Sequence, residues 1–145
     1  MKRLRRFFEL SSSERGLLLK AAFLLAAVRV GLWLLPFQSV RRLVASARRR
    51  PSDTQASTRP ALERIAWAVE AAARYVPKCT CLVKALAAQV ILDRAGYPTR
   101  LQIGVANQEK GFEAHAWLES EGKVVIGEAE PGRYSPLLTL EAEKP

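Results

Sequence analysis

Apolar residues recur at helical spacing through the first two thirds of the chain and switch to an alternating pattern after residue 98. Ser11-Ser12-Ser13-Glu14 has the form of a capping box, in which a hydroxyl accepts a backbone N–H and the glutamate reaches back. A helix is therefore predicted to start there and to stop at Pro36. A second, shorter helix is predicted over 37–50, with Val40, Leu43, Val44 and Ala47 on one face and Arg41, Arg42, Arg48 and Arg49 on others. The polar, proline-bounded segment 51–60 reads as a linker. Leu62, Ile65, Trp67, Ala68, Val69 and Ala72 predict a helix over 61–76, stopped by Pro77, with Trp67 in the core.

Residues 81–95 are apolar almost all round, as in a helix buried in the middle of a domain. Thr80 suits its N-cap, while Gly96 and Pro98 suit its end. Leu101, Ile103 and Val105 then alternate with Arg100, Gln102 and Gly104, predicting a strand over 99–105 and a turn over 107–111. Two further strands, 112–119 and 123–126, flank Glu121-Gly122. The pattern predicts an α+β fold: a buried helix against a small antiparallel sheet of three strands, with N-terminal helices. Its parts are a basic N-terminal helical region (1–50), the linker (51–60) and a core (61–145).

At 145 residues and 49% apolar content, the chain suits one globular domain. Charge divides it unevenly. Of the net +9, residues 1–50 carry twelve basic and two acidic side chains, whereas 51–145 carry eleven and twelve. Such an end-loaded distribution fits a helical surface facing anionic lipid, nucleic acid or an acidic peptide, or else a solvated basic face. Residues 17–35 form an apolar stretch with no small-residue cleavage site after it, which argues against a signal peptide. Lys20 and Arg29 lie within it, each costing about 2.5–3.5 kcal/mol near a bilayer centre. A helix packed on the domain, with one side touching a membrane surface, is preferred to a span.

Both cysteines fall in Cys79-Thr-Cys-Leu-Val-Lys-Ala85. With only one residue between them a structural disulfide is disfavoured, which points to a reducing cytoplasm. Two cysteines and one histidine at this spacing do not match a structural zinc site, so neither metal nor cofactor is expected. If Glu121-Gly122 turns a two-residue hairpin, Ser120 faces Lys123, Glu119 faces Val124, Trp117 faces Ile126, and His115, the only histidine, faces Glu128. A thiol in the first turn of a buried helix sits at the positive end of the helix dipole, where thiolate is favoured. Cys81, His115 and Glu128 thus have the parts of a Cys-His-acid triad for acyl transfer, with helix-start N–H groups as part of an oxyanion hole. Each part also has a plainer reading, Cys81 as a small buried hydrophobe and His115 as a satisfied core group.

Three stretches, Cys81-Leu-Val-Lys-Ala-Leu-Ala87, Ala95-Gly-Tyr-Pro-Thr-Arg-Leu-Gln-Ile-Gly-Val105 and Phe112-Glu-Ala-His-Ala-Trp-Leu-Glu119, resemble the transglutaminase-like (papain-like) proteases of lasso-peptide biosynthesis. The likeness extends upstream to Leu10–Arg15 and to residues 29–42. The resemblance implies a cysteine protease that removes the leader of a ribosomal precursor peptide, so that an asparagine-synthetase-like cyclase can close the core into a macrolactam. It implies Cys81 as nucleophile and His115 as general base and acid. The family's third residue is typically an Asp on the strand after the histidine strand; this chain has Glu128 there, with Glu113 as fallback on the histidine strand itself. Residues 1–60 do not read as the winged-helix-like recognition domain of fused members, which implies a separate leader-recognition protein as partner. From the cysteine usage and the basic, apolar N-terminal helices, the expected setting is cytoplasmic, with peripheral membrane contact through those helices and no nucleic acid. The rival readings are another acyl transferase or amidase on the same triad, and a non-catalytic basic module bound to membrane or nucleic acid.

Overall fold

The computed structural model describes residues 2–47, 60–109, 111–127 and 134–141. Apart from Pro60, the predicted linker lies outside the described residues. Among the described residues five helices precede four strands: α1 (Lys2–Glu9), α2 (Ser12–Leu34), α3 (Phe37–Ala47), α4 (Leu62–Ala73), α5 (Cys81–Arg94), β1 (Thr99–Gln108), β2 (Gly111–Ser120), β3 (Lys123–Ile126) and β4 (Ser135–Glu141). α1 was not anticipated, since its basic sequence carries no cap signal.

The capping box forms as predicted. The Ser11 hydroxyl accepts the Glu14 N–H, and the Glu14 carboxylate accepts the Ser11 N–H at 3.0 Å. At the other end of the chain of helices, Gly96 leaves α5 with φ +88°. Its N–H donates to Asp93 O and that of Tyr97 to Leu92 O, the two reverse bonds of a Schellman motif. Only a residue without Cβ takes that φ cheaply, so the chain turns sharply into β1. Three side-chain bonds fix the turn: Thr99 Oγ1 to Asp93 Oδ1 at 2.6 Å, Ser120 Oγ to Pro98 O at 2.7 Å and Arg94 Nε to Ala47 O at 2.7 Å.

α5 is the centre of the molecule, with α2 and α4 on one side and β1 and β2 on the other. Val83, Ala85, Leu86, Ala87, Ala88, Val90, Ile91 and Leu92 are all buried, which is why this stretch has no polar face to show. One core runs through the fold, joining Leu25 of α2 and Val40 of α3 to Ile65 and Val69 of α4, to α5, and to Leu101, Leu118 and Ile126 of the sheet. The basic N-terminal region and the later residues therefore share their interior. Trp67 corrects the expectation that it is core: the residue is 41% exposed. α4 is apolar on more than its buried face, and Ile65, Ala68, Val69 and Ala72 take the interior instead.

The sheet is antiparallel with order β3-β2-β1-β4, so it has four strands where three were predicted. β4 lies along β1. The β2–β3 hairpin turns at Glu121 (φ +51°) and Gly122 (φ +78°), the positive pair expected of a two-residue turn. Ser120 faces Lys123 and Glu119 faces Val124 as predicted, but Leu118, not Trp117, faces Ile126. Val125 is the extra residue of a β-bulge, and beyond it the predicted register is off by one.

Candidate active site

Cys81 opens α5. Thr80 caps this helix, its hydroxyl accepting the Val83 N–H, and its carbonyl receives the Lys84 N–H. Among the described residues the N–H groups of Cys81 and Leu82 have no such partner, which leaves two first-turn donors for an incoming oxygen. Cys81 is half-buried, so its thiol is neither sealed in the core nor fully in solvent. Lys84, one turn on, pairs with Glu70 of α4 at 3.1 Å and pins the start of α5 against its neighbour.

Cys79 differs. It packs at the margin of the core. Burial pushes its thiol up, outweighing the Lys84 charge that pulls it down, while Glu70 adds to the rise and Arg29 opposes it. Cys79 therefore holds its proton more tightly than an ordinary thiol.

His115 lies in the middle of β2, paired with Gly104 of β1. α5 rises about 1.5 Å per residue and β1 about 3.3 Å, and the two run in opposite directions out of the Gly96 turn. The Gly104–His115 pair is thus carried back to roughly the level at which α5 begins. Leu118 enters the core beneath α5, so strand alternation turns Ala116 the same way and sends His115, Trp117 and Glu119 to the other face. There the imidazole stacks on Tyr134, with ring centroids 5.0 Å apart, and on Trp117 at 6.2 Å. Trp117 is in turn held by its Nε1–H donating to Glu119 Oε1 at 2.9 Å. A Cβ on Gly104 would stand 2.9 Å from the Trp117 ring, so the glycine is what lets the indole lie flat across β1.

The imidazole Nε2 lies 3.3 Å from the carbonyl oxygen of Gly127. A carbonyl only accepts, so this bond requires the proton on Nε2 and leaves the Nδ1 lone pair as the basic atom. Gly127 has φ +77°, and a Cβ there would meet Ala116 O at 2.6 Å. Gly127 can thus press its backbone onto β2 just beyond the bulge, as few other residues could.

Of the predicted triad, Cys81 stands at the start of a helix packed on β2, and His115 on β2 itself. Among the described residues no hydrogen bond joins them. Glu128 lies outside the described residues. The expectation that it faces His115 rested on an unbroken register, which the bulge at Val125 interrupts, and the partner seen at the imidazole is the Gly127 carbonyl. Glu113 is exposed on the same strand face as His115. Among the described residues no group of three metal-ligating side chains occurs. Sequence reasoning missed Gly127, Tyr134 and Gly104; the two glycines, each where a side chain would collide, were the only signal available.

Residues 22–139 match the family described as the transglutaminase-like superfamily, a span that includes α3 to β3, both cysteines and His115. The chain belongs to that superfamily. No curated protein matches the chain, and no solved structure does. Transglutaminase-like proteins are typically cysteine proteases or acyltransferases, and chemistry of that type is what the match assigns to this α+β fold.

Proposed function

We propose that this protein is a cysteine peptidase that cuts the leader from a lasso-peptide precursor. The observation that carries the proposal is a superfamily match over 22–139 that includes both a cysteine on the capped first turn of a buried helix and the Phe112-x-Ala-His-Ala-Trp117 strand. The lasso assignment itself rests on the resemblance of those two motifs.

In this reading the Cys81 thiol gives its proton to Nδ1 of His115, and the sulfur attacks the leader-core carbonyl. The resulting oxyanion takes the N–H groups of Cys81 and Leu82. Collapse of the intermediate expels the core amine, which takes its proton from His115, and water then hydrolyses the thioester to free the leader. His115 lies on the face of β2 away from α5 and no hydrogen bond joins it to Cys81 among the described residues, so this step requires the imidazole and the thiol to be brought together when the peptide binds. Glu128 is the proposed orienting carboxylate; with Nδ1 serving Cys81, it acts only by taking over the Nε2–H that the Gly127 carbonyl accepts in this structure. The proposed partners are a separate leader-recognition protein and an asparagine-synthetase-like cyclase, in the cytoplasm, with no metal or cofactor.

The test is incubation of the purified chain with a lasso precursor, with and without a leader-binding protein, followed by mass analysis. Two peptides separated at the leader-core junction are expected, and Cys81→Ala and His115→Ala should each remove them. No cleavage under any pairing would sink the reading. An amine-dependent crosslink in place of two peptides would transfer the same residues to an acyltransferase.

A further inference from the structure

α2 is apolar on two opposite faces, and the fold covers only one. Ala21, Leu25 and Val28 are buried against α4 and α5. On the far side Leu19, Phe23, Val30, Trp33 and Leu34 are each between 51% and 76% exposed, and the alanines between them, Ala26 and Ala27, are exposed too. Positions 19, 23, 26, 27, 30, 33 and 34 follow helical spacing, so these side chains form one continuous stripe about 22 Å long. No charge interrupts it. Lys20 and Arg29 stand roughly a quarter-turn to either side, placed to reach outward while the stripe faces down. At its N-terminal end Leu19 and Leu4 line one apolar groove of about 680 Å³ between α1, α2 and α4. α1 adds the exposed Leu4 and Phe8 beside exposed Lys2, Arg5 and Arg6. The two acidic residues of this region are both engaged, Glu9 by Arg5 and Glu14 by Arg64.

We infer that this surface docks on an anionic lipid bilayer, with α2 lying in the plane of the interface. A stripe of Leu, Phe and Trp flanked by cations is the composition of a helix that sinks one face to the headgroup boundary. Net charge supplies the sign of the partner: residues 1–50 carry ten more basic than acidic side chains, so they are drawn to a negative surface. The same charge argues against a second copy, since a two-fold contact through this stripe would bring two equally basic surfaces together. It also sits badly with a span. α2 is long and apolar enough to cross a membrane, but its inner face is the wall of the α4–α5 core and cannot be given to lipid without opening the domain.

The test is flotation of the intact chain with vesicles of phosphatidylcholine alone, and of phosphatidylcholine and phosphatidylglycerol in equal parts. The chain should float with the phosphatidylglycerol vesicles, fall off as salt is raised, and stay largely unbound with phosphatidylcholine alone. Phe23→Ser with Trp33→Ser should lower partitioning by about tenfold or more, while leaving the thermal midpoint where it was because both side chains are exposed. Lys20→Glu, which leaves the stripe intact, should weaken binding to the anionic vesicles alone. Wild-type chain that stays at the bottom of the anionic gradient would overturn the inference, as would a serine variant that floats like wild type. Bound protein that resists alkaline extraction would make α2 a span, and a wild-type dimer that the serine variant converts to monomer would make the occupant a second copy; either result overturns it.

Discussion

α5 and α2 are both apolar almost all round and neither shows a polar face, yet their surroundings are opposite. α5 is enclosed by α2, α4 and the sheet, and its nine buried residues are spread around the helix. α2 has three buried residues, all on one face, and a row of large apolar side chains open on the other. An all-round apolar pattern therefore means that a helix is covered on every side, without saying by what. For α5 the cover is protein. For α2 the described residues supply only half of it.

The sharpest way to break this contrast is to truncate a side chain on each helix. Leu86→Ala in α5, where the leucine is 1% exposed, should destabilise the fold by about 2–5 kcal/mol in chemical denaturation. Phe23→Ser in α2 should shift it by no more than about 0.5 kcal/mol. If the two cost the same, the stripe on α2 is buried after all. Gly104→Ala tests the face of the sheet away from α5: a Cβ 2.9 Å from the Trp117 ring should cost about 1–3 kcal/mol. A shift in the Trp117 signal should accompany it, since the ring must move. Thr80→Ala should cost about 0.5–2 kcal/mol by freeing the Val83 N–H at the start of α5, and in the peptidase reading should also lower turnover by loosening Cys81. The smallest effect is chemical. Because burial raises the Cys79 thiol, its thiolate fraction at neutral pH is lower than that of an ordinary thiol. Its alkylation should therefore lag that of a model thiol and catch up only as pH rises, as peptide mapping of a Cys81→Ala chain would show.

Features set by a few adjacent residues were readable in the sequence. Ser11 to Glu14 define the start of α2, Thr80 and Gly96 bracket α5, and Glu121-Gly122 turn the hairpin. Features set by distant parts were not. Trp67 was assigned inward because α4 offers more apolar positions than its buried face needs. The bulge at Val125 was invisible because Val124, Val125 and Ile126 are equally good strand residues, and nothing among them says which one is unpaired. That single extra residue shifts the register on which the predicted pairing of His115 with Glu128 rested, and Glu128 itself lies outside the described residues. Cys81 and His115 were singled out by local pattern, a helix start and a strand motif. The stacking of His115 on Tyr134 needed the return of the chain to β4, which no local pattern announced.

The shared core also dictates an order of events during synthesis. α2 leaves the ribosome first, but the elements that cover its inner face, α4 and α5, are complete only at Arg94, about sixty residues later. At about 5–20 residues per second, that is about 3–12 s in which both apolar faces of α2 are bare. During that interval the nascent chain presents a long, unpartnered hydrophobic helix behind a cluster of positive charge, and whatever meets it first decides whether the inner face is still available when α5 arrives.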